Sequence, residues 1–484
     1  MDVEVEAGVL RGADRGEIRV FKGIPYAAPP VGELRFAAPR PVSPWPGVRA
    51  ANRFARPSLQ TDLFAGRPMG DEDCLYLNVY APAGPGPHPV LVWLHGGGGV
   101  TGSPQQYDPV SFARNGVLVV TVAYRLGVLG LLHLPGVFPG EADGNFSLLD
   151  QLAALRWVRD NIGAFGGDPA RVTLAGESNG GRTVGTLLAV PEAAGLFTRA
   201  IVQSGTGVGY LVDQPEEALR TTKGVLAELG LDWSAAARLR ELPADRILQA
   251  QSRFSGKASI RVPYRVVVDG SVLTGQPRDL VAAGSAAGVR LLIGTNHDEQ
   301  DLVRMVPPEF VTTLGADSAM LDRARVDRVA AAYRTHLPGW AEREVRDHAV
   351  TAADWWIPAI RLAEAHHRAG GEAWMYRLDW RLAPRGRGFG APHALDIPLM
   401  FDDARNRNWR FLFDPDRPDP SRVEAIAATM HQAWVRFVTT GLPGPDLASW
   451  PTYVPESRAT MLFDDVSTVT EDPDRPLREI WGRE

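Results

Sequence analysis

The chain has 484 residues, 45% hydrophobic and 22% charged, with a formal charge of -6 and a single cysteine, Cys74. This is a soluble composition with length enough for a large core. The small negative charge argues against nucleic acid or a membrane surface as a partner, and one cysteine allows no intrachain disulfide, which fits a reducing, cytoplasmic setting.

The first twenty residues carry early acidic groups and no apolar core, so they do not read as a secretory signal. Val3 to Tyr26 alternates apolar and polar residues around Gly8 and Gly12 and predicts small antiparallel strands. Phe21 to Pro41 is too rich in proline for regular structure. Its Ile24, Tyr26, Leu34 and Phe36 predict an ordered loop that packs. Asp71 to Tyr80 predicts a strand, and Pro89 to His95 a more buried one that ends in four glycines, Gly96 to Gly99. Glycines there let backbone N–H groups approach an oxyanion closely. Val117 to Tyr124 is a third apolar strand. The apolar stretch 116–138 is broken by Arg125, His133 and Pro135, so it does not read as a membrane span.

Phe146 to Phe165 places Leu148, Leu149, Leu152, Leu155, Val158 and Ile162 at helical spacing. Val172 to Ala175 is a buried-type strand, and Gly176-Glu177-Ser178-Asn179-Gly180 follows it as G-x-S-x-G. A helix is predicted over 182–190, then a strand over 199–204. Strand, helix, strand, helix, strand points to a parallel sheet with helices on both faces. Further strands are predicted over 289–295 and 373–380, and an amphipathic helix over 423–440. Glycine and arginine fill the loop 386–390. There is no internal repeat, low-complexity tract or linker, so the chain reads as one domain, 1–484, with insertions at about 208–264 and 301–368.

A serine on a strand-to-helix turn becomes a nucleophile only with a base, a carboxylate to orient the base, and donors for the oxyanion. Chain order Ser, acid, His places the base late. Of ten histidines, His95 precedes the glycines and reads as structural. His88, His336, His348, His366 and His367 read as surface residues, and His431 lies in the last helix. His133 and His297 precede any suitable acid, which leaves His393. Spacing leaves Asp298, Glu299 and Asp396 open as the acid.

The segments FKGIPYAAPPVGELRF, EDCLYLNVY, VLVWLHGGG, YRLGVLG, WVRDNIGAFGGDPARVTLAGESNGG, GTNHDE and HALDIPLMF occur in this order. Together they resemble the type-B carboxylesterases, the family of the cholinesterases and bacterial para-nitrobenzyl esterases. The resemblance implies an α/β-hydrolase fold with a central, mostly parallel sheet, helices on both faces and helical cap insertions over the site. It implies hydrolysis of a small-molecule ester through an acyl-serine, without metal or organic cofactor. It assigns Ser178 as nucleophile, Glu299 as triad acid, His393 as base, and the N–H groups of Gly97, Gly98 and Asn179 as oxyanion donors. It also implies ion pairs Arg35–Glu72 and Arg125–Asp168, and Glu177 lining the site. Two departures bear on the pocket. Asn179 replaces the family's usual alanine, and Gly99 stands where an aromatic is usual, which implies a roomier or more polar pocket. The same triad also serves carbamate or amide hydrolases and acyltransferases. A non-catalytic, cholinesterase-like binding protein is argued against by the presence of every reactive residue.

Overall fold

Runs of branched and aromatic residues that are apolar on both faces form the strands that carry the site. The computed structural model describes residues 1–62, 66–257, 262–305, 318–384, 387–446 and 448–483. Parts of the expected insertions, 258–261 and 306–317, and Gly386 of the glycine- and arginine-rich loop lie outside the described residues. The chain divides into two compact units. One comprises Met1–Ala175, Leu187–Thr198 and Val212–Gln276; the other comprises Gly176–Thr186, Arg199–Leu211 and Pro277–Glu484.

In the first unit the strands are β1 (Ile18–Pro25), β2 (Tyr76–Pro82), β3 (His88–Leu94) and β4 (Leu118–Val122). β4 runs parallel to β3, with Leu118 opposite Val90, and antiparallel to β2, with Val119 opposite Tyr80. β1 pairs antiparallel with β2. Helix α1 (Phe146–Asn161) passes into a 3-10 turn, Ile162–Phe165, which Gly166 closes at φ 85°. That left-handed position suits glycine at a helix end. Leu148, Leu152, Leu155, Val158 and Ile162 are buried, whereas Leu149 is half-buried. β5 (Gly167–Glu177) starts earlier than its apolar residues predict, and its last two residues belong to the second unit.

The proline-rich segment is ordered: Ile24, Tyr26 and Phe36 are buried and Leu34 is half-buried. Phe36 shares a core with Phe138, Leu226, Leu239 and Ile247. Arg35 forms the expected bidentate pair with Glu72, Nε–Oε2 2.6 Å and Nη2–Oε1 2.5 Å. Its remaining nitrogen, Nη1, donates to the carbonyls of Leu239 and Leu242 at 2.9 and 2.6 Å. The expected Arg125–Asp168 pair is not formed. Arg125 instead grips Asp150 of α1, Nε–Oδ2 2.8 Å and Nη2–Oδ1 2.6 Å, with both groups buried. Asp168 turns to its own chain and accepts the Ala170 N–H at 3.0 Å.

In the second unit, helix α2 (Asn179–Leu187) leads to β6 (Arg199–Gln203), β7 (Arg290–Asn296) and β8 (Ala373–Leu378). These run parallel, with Ala200 opposite Leu291 and Leu291 opposite Ala373. Two strands that the sequence does not advertise extend them: β9 (Ala459–Phe463), parallel to β8, and β10 (Thr468–Glu471), antiparallel to β9. Helix α3 (Ile357–Arg368) packs on β7 and β8. Helix α4 (Pro420–Thr440) sets Trp434 edge-on to Tyr376 of β8, ring centres 4.9 Å apart. No helix of the described residues is long and apolar enough to cross a membrane.

Two histidines expected at the surface are buried. His366 bonds the Val289 carbonyl through Nε2 at 2.8 Å, and His348 lies among His297, Tyr333 and Trp340. His348 stands on the inward side of a largely polar helix, and His366 near the basic end of a largely apolar one.

Candidate active site

Ser178 sits between the last residue of β5 and the first of α2 at φ 57°. A non-glycine residue in that region is strained, and strain of about 1–3 kcal/mol persists only where the surroundings impose it. Here they do. The Ser178 N–H donates to the Gln203 carbonyl at 2.9 Å. A Cβ on Gly181 would lie 2.6 Å from the Gln203 oxygen and 3.0 Å from the Gly176 oxygen. Helix α2 can therefore start only with glycine at 181, one residue beyond the motif read from the sequence.

The turn after β7 delivers Glu299, and the loop after β8 delivers His393. The Glu299 carboxylate is buried, accepting the Asn296 N–H on Oε1 at 2.8 Å and facing His393 Nδ1 with Oε2 at 2.6 Å. The His393 N–H also donates to the Glu299 carbonyl at 3.2 Å, so the two residues are fixed by backbone as well as side chain. The other two carboxylates left open by spacing are engaged elsewhere. Asp298 takes the Arg381 guanidinium at 2.5 Å and the Ala391 N–H at 3.1 Å. Asp396 accepts from Gln203 Nε2 at 2.8 Å and from the Tyr376 hydroxyl at 3.0 Å.

The second ring nitrogen of His393, Nε2, lies 3.2 Å from Glu177 Oε1, the residue just before Ser178. Among the described residues Ser178 Oγ makes no hydrogen bond. Burial works to lower the His393 pKa, but the charges of Glu177 and Glu299 outweigh it and raise the value from 6.5 to about 9. Burial pushes Glu177 well above the ordinary carboxylate range, with Asp396 and Glu299 adding to the rise and His393 opposing it. Trp355 packs beside the His393 ring with centres 5.3 Å apart, on a π-helical turn, Ala352–Trp356.

In the first unit, the chain after β3 makes a tight turn of glycines. Gly97, Gly98 and Gly99 have φ of 108°, 65° and 79°. A Cβ on Gly97 would lie 2.2 Å from the Thr101 oxygen. The Gly97 carbonyl accepts the N–H groups of Val100 and Thr101 at 3.1 and 3.0 Å, which leaves its own N–H and that of Gly98 outside the turn's bonding. Gly99 accepts the Gly127 N–H at 2.7 Å. Its positive φ gives the glycine a backbone reason beyond the loss of an aromatic. His95 supports this turn: its ring stacks on Tyr124 at 4.4 Å and its Nδ1 lies 2.8 Å from the Gly96 oxygen. Burial lowers its pKa to about 4.

Asn179 opens α2, so its N–H has no partner one turn back. Its side-chain oxygen accepts from Arg182 Nη2. The reading from sequence passed over Arg182, which is buried one turn from the serine. The signal available was an arginine in the first helical turn after the nucleophile motif.

Residues 1–479 match the family model described as Carboxylesterase family. The chain is 36% identical, over an alignment of 496 residues, to the para-nitrobenzyl esterase of Bacillus subtilis strain 168, covering 99% of this chain and 97% of that one. It is 33% identical over 508 residues to the phenmedipham hydrolase of Pseudarthrobacter oxydans, covering 97% and 96%. The crystal structure of a Geobacillus stearothermophilus carboxylesterase superposes with a TM-score of 0.86 at 36% identity, covering 99% of each chain.

Proposed function

The chain belongs to the carboxylesterase family, has the α/β-hydrolase fold and hydrolyses carboxylic esters; from that premise we propose that Ser178 is the nucleophile, His393 the general base and Glu299 the carboxylate that orients it. His393 Nε2 takes the Ser178 hydroxyl proton as Oγ attacks the ester carbonyl carbon. The carbonyl oxygen becomes negative and is held by the N–H groups of Gly97, Gly98 and Asn179. Collapse breaks the bond to the alcohol, which leaves with the proton from His393. Water, deprotonated by the same nitrogen, attacks the acyl-serine; the acid departs and Ser178 regains its proton. Glu177 and Gly99 line the acyl site in this reading. A cytoplasmic location fits the only cysteine, Cys74, a buried free thiol.

The observation that carries the assignment is the buried 2.6 Å contact of Glu299 Oε2 with His393 Nδ1. It fixes the tautomer whose basic nitrogen is Nε2 and stabilises the imidazolium formed during attack. Ser178→Ala is expected to lower kcat on a p-nitrobenzyl ester by roughly 10⁴–10⁶ with the fold intact, and to abolish covalent labelling by a fluorophosphonate probe. A Ser178→Ala protein that keeps near-full activity overturns the mechanism.

A further inference from the structure

Where β7 ends, the chain turns at His297, two residues before Glu299. His297 Nδ1 lies 3.1 Å from Asp298 Oδ1, which leaves Nε2 for another partner. His348, on the helix Glu342–Thr351, stacks against it with ring centres 4.9 Å apart and planes at 30°. His348 is only 6% exposed, and among the described residues neither of its ring nitrogens has a hydrogen-bond partner. A buried polar group left unsatisfied costs about 1–3 kcal/mol, so folds rarely retain one without a use.

Asp474 completes the group. It precedes the short helix Arg475–Ile480 at φ 56°, yet its side chain does not cap that helix. One carboxylate oxygen, Oδ2, accepts from Arg377 Nη1 at 2.6 Å. Donor atoms of His297, His348 and Asp474 all lie within 4.8 Å of one another, and all three residues belong to the second unit.

Two imidazoles and a carboxylate suit a borderline cation better than a hard one, which takes oxygen ligands only. Two imidazoles on one tetrahedral ion, with metal–nitrogen bonds of about 2.1 Å, have ring centres about 5 Å apart. The observed spacing of 4.9 Å is already that. The donor atoms need only draw in by about 1 Å to meet a common ion, and His297 and Asp474 are half-buried. The supporting contacts are those of a metal centre. Asp298 stands behind His297, as a carboxylate commonly stands behind a ligating histidine. Arg377 fixes the other oxygen of Asp474, and its charge is balanced by Asp379 through bonds of 2.6 and 2.8 Å. Beside His348 lies a cavity of about 20 Å³, lined partly by Asp301, Glu344 and Asp347 and by Arg304 and Arg381. It has room for one water.

We propose that His297 Nε2, one ring nitrogen of His348 and the free oxygen of Asp474 bind a divalent transition-metal cation of the Zn²⁺ class, with a water from the adjoining cavity as fourth ligand. The ion ties together the turn after β7, the helix Glu342–Thr351 and the C-terminal segment. The same turn holds the loop of His393: the Asp298 N–H donates to the Ala391 carbonyl at 3.0 Å, and Asp298 Oδ2 accepts the Ala391 N–H. The role is structural and separate from acyl transfer, so its test does not depend on the assignment of Ser178.

The experiment is equilibrium dialysis of the chelator-treated full chain against Zn²⁺, with Co²⁺ as a spectroscopic probe whose visible absorption reports nitrogen and oxygen ligation. The wild type is expected to bind one equivalent and to gain several degrees in Tm at a metal concentration of about a hundred times Kd. His348→Phe keeps a stacked ring without nitrogen, and Asp474→Asn keeps the shape without charge. Each is expected to lose at least about tenfold in affinity and the Co²⁺ signature with it. Should His348→Phe fail to fold, the Asp474→Asn protein decides alone. Failure of the wild type to bind an equivalent, or undiminished binding by the folded variants, overturns the site.

Discussion

Replacing Glu177 by glutamine isolates the electrostatics of His393, the proposed general base. The His393 ring stands between two carboxylates, Glu299 at 2.6 Å from Nδ1 and Glu177 at 3.2 Å from Nε2. Burial opposes the charged ring, yet the two carboxyl groups, Glu177 with the larger effect, carry its pKa from 6.5 to about 9. At 1.36 kcal/mol per unit, that rise corresponds to roughly 3 kcal/mol favouring the imidazolium. A general base works only when neutral. With His393 as the base, the kcat/KM of the wild type is expected to fall as pH drops below about 9, along a limb set by this ring. Glu177→Gln preserves the shape and removes the charge. Because Glu177 is the largest of the charges raising His393, the limb is expected to move down by at least about one pH unit. On the limb that is tenfold more neutral imidazole at any given pH. Hydrolysis of a p-nitrobenzyl ester is followed in a pH-stat between about pH 6 and 10, with spontaneous hydrolysis subtracted. The position of the limb is the readout, since its height responds to any damage at the site. A limb that stays in place or moves to higher pH refutes the reasoning.

What the sequence made legible follows from how many neighbours each residue answers to. β3, β4 and β5 were readable because a strand covered on both faces must be apolar throughout, whatever covers it. β10 escaped because Thr468–Glu471 is short and largely outside the core, so nothing constrains its residues to a pattern. The turn at Ser178 was readable because its strain and the close packing at Gly181 demand specific residue types. The partner of Arg125 was not: Asp150 and Asp168 are equally charged, and only the path of α1 brings the first into reach. His348 sits in a polar helical sequence and His366 at the basic end of an apolar one, and in both the burial of the ring is decided by what packs against the helix. Between Asp298 and Glu299 the choice turns on which way a four-residue turn aims its side chains, while Asp396 opens a separate helix after His393. The geometry separates them through the partners each carboxylate already holds.

Four further substitutions test the local arguments. Gly97→Ala sets a methyl group 2.2 Å from the Thr101 oxygen at a φ of 108°, so the glycine turn must move; with one proposed oxyanion donor displaced, kcat is expected to fall by about 10²–10³ with a much smaller change in KM. Asp150→Asn leaves the buried Arg125 without its counter-charge and is expected to cost about 3–5 kcal/mol in urea unfolding, whereas Asp168→Asn stays within about 0.5 kcal/mol; equal effects would restore Asp168 as a partner. Asn179→Ala separates what the residue's backbone does from what its side chain does. The backbone N–H at the start of α2 is untouched, so kcat on a p-nitrobenzyl ester is expected to stay within about fivefold of wild type, while the loss of an acceptor from the buried Arg182 guanidinium lowers stability by about 1–3 kcal/mol. A hundredfold loss of kcat with an unchanged unfolding midpoint would place the amide itself in the chemistry. It would also make Arg182, which holds that amide, the next residue to replace.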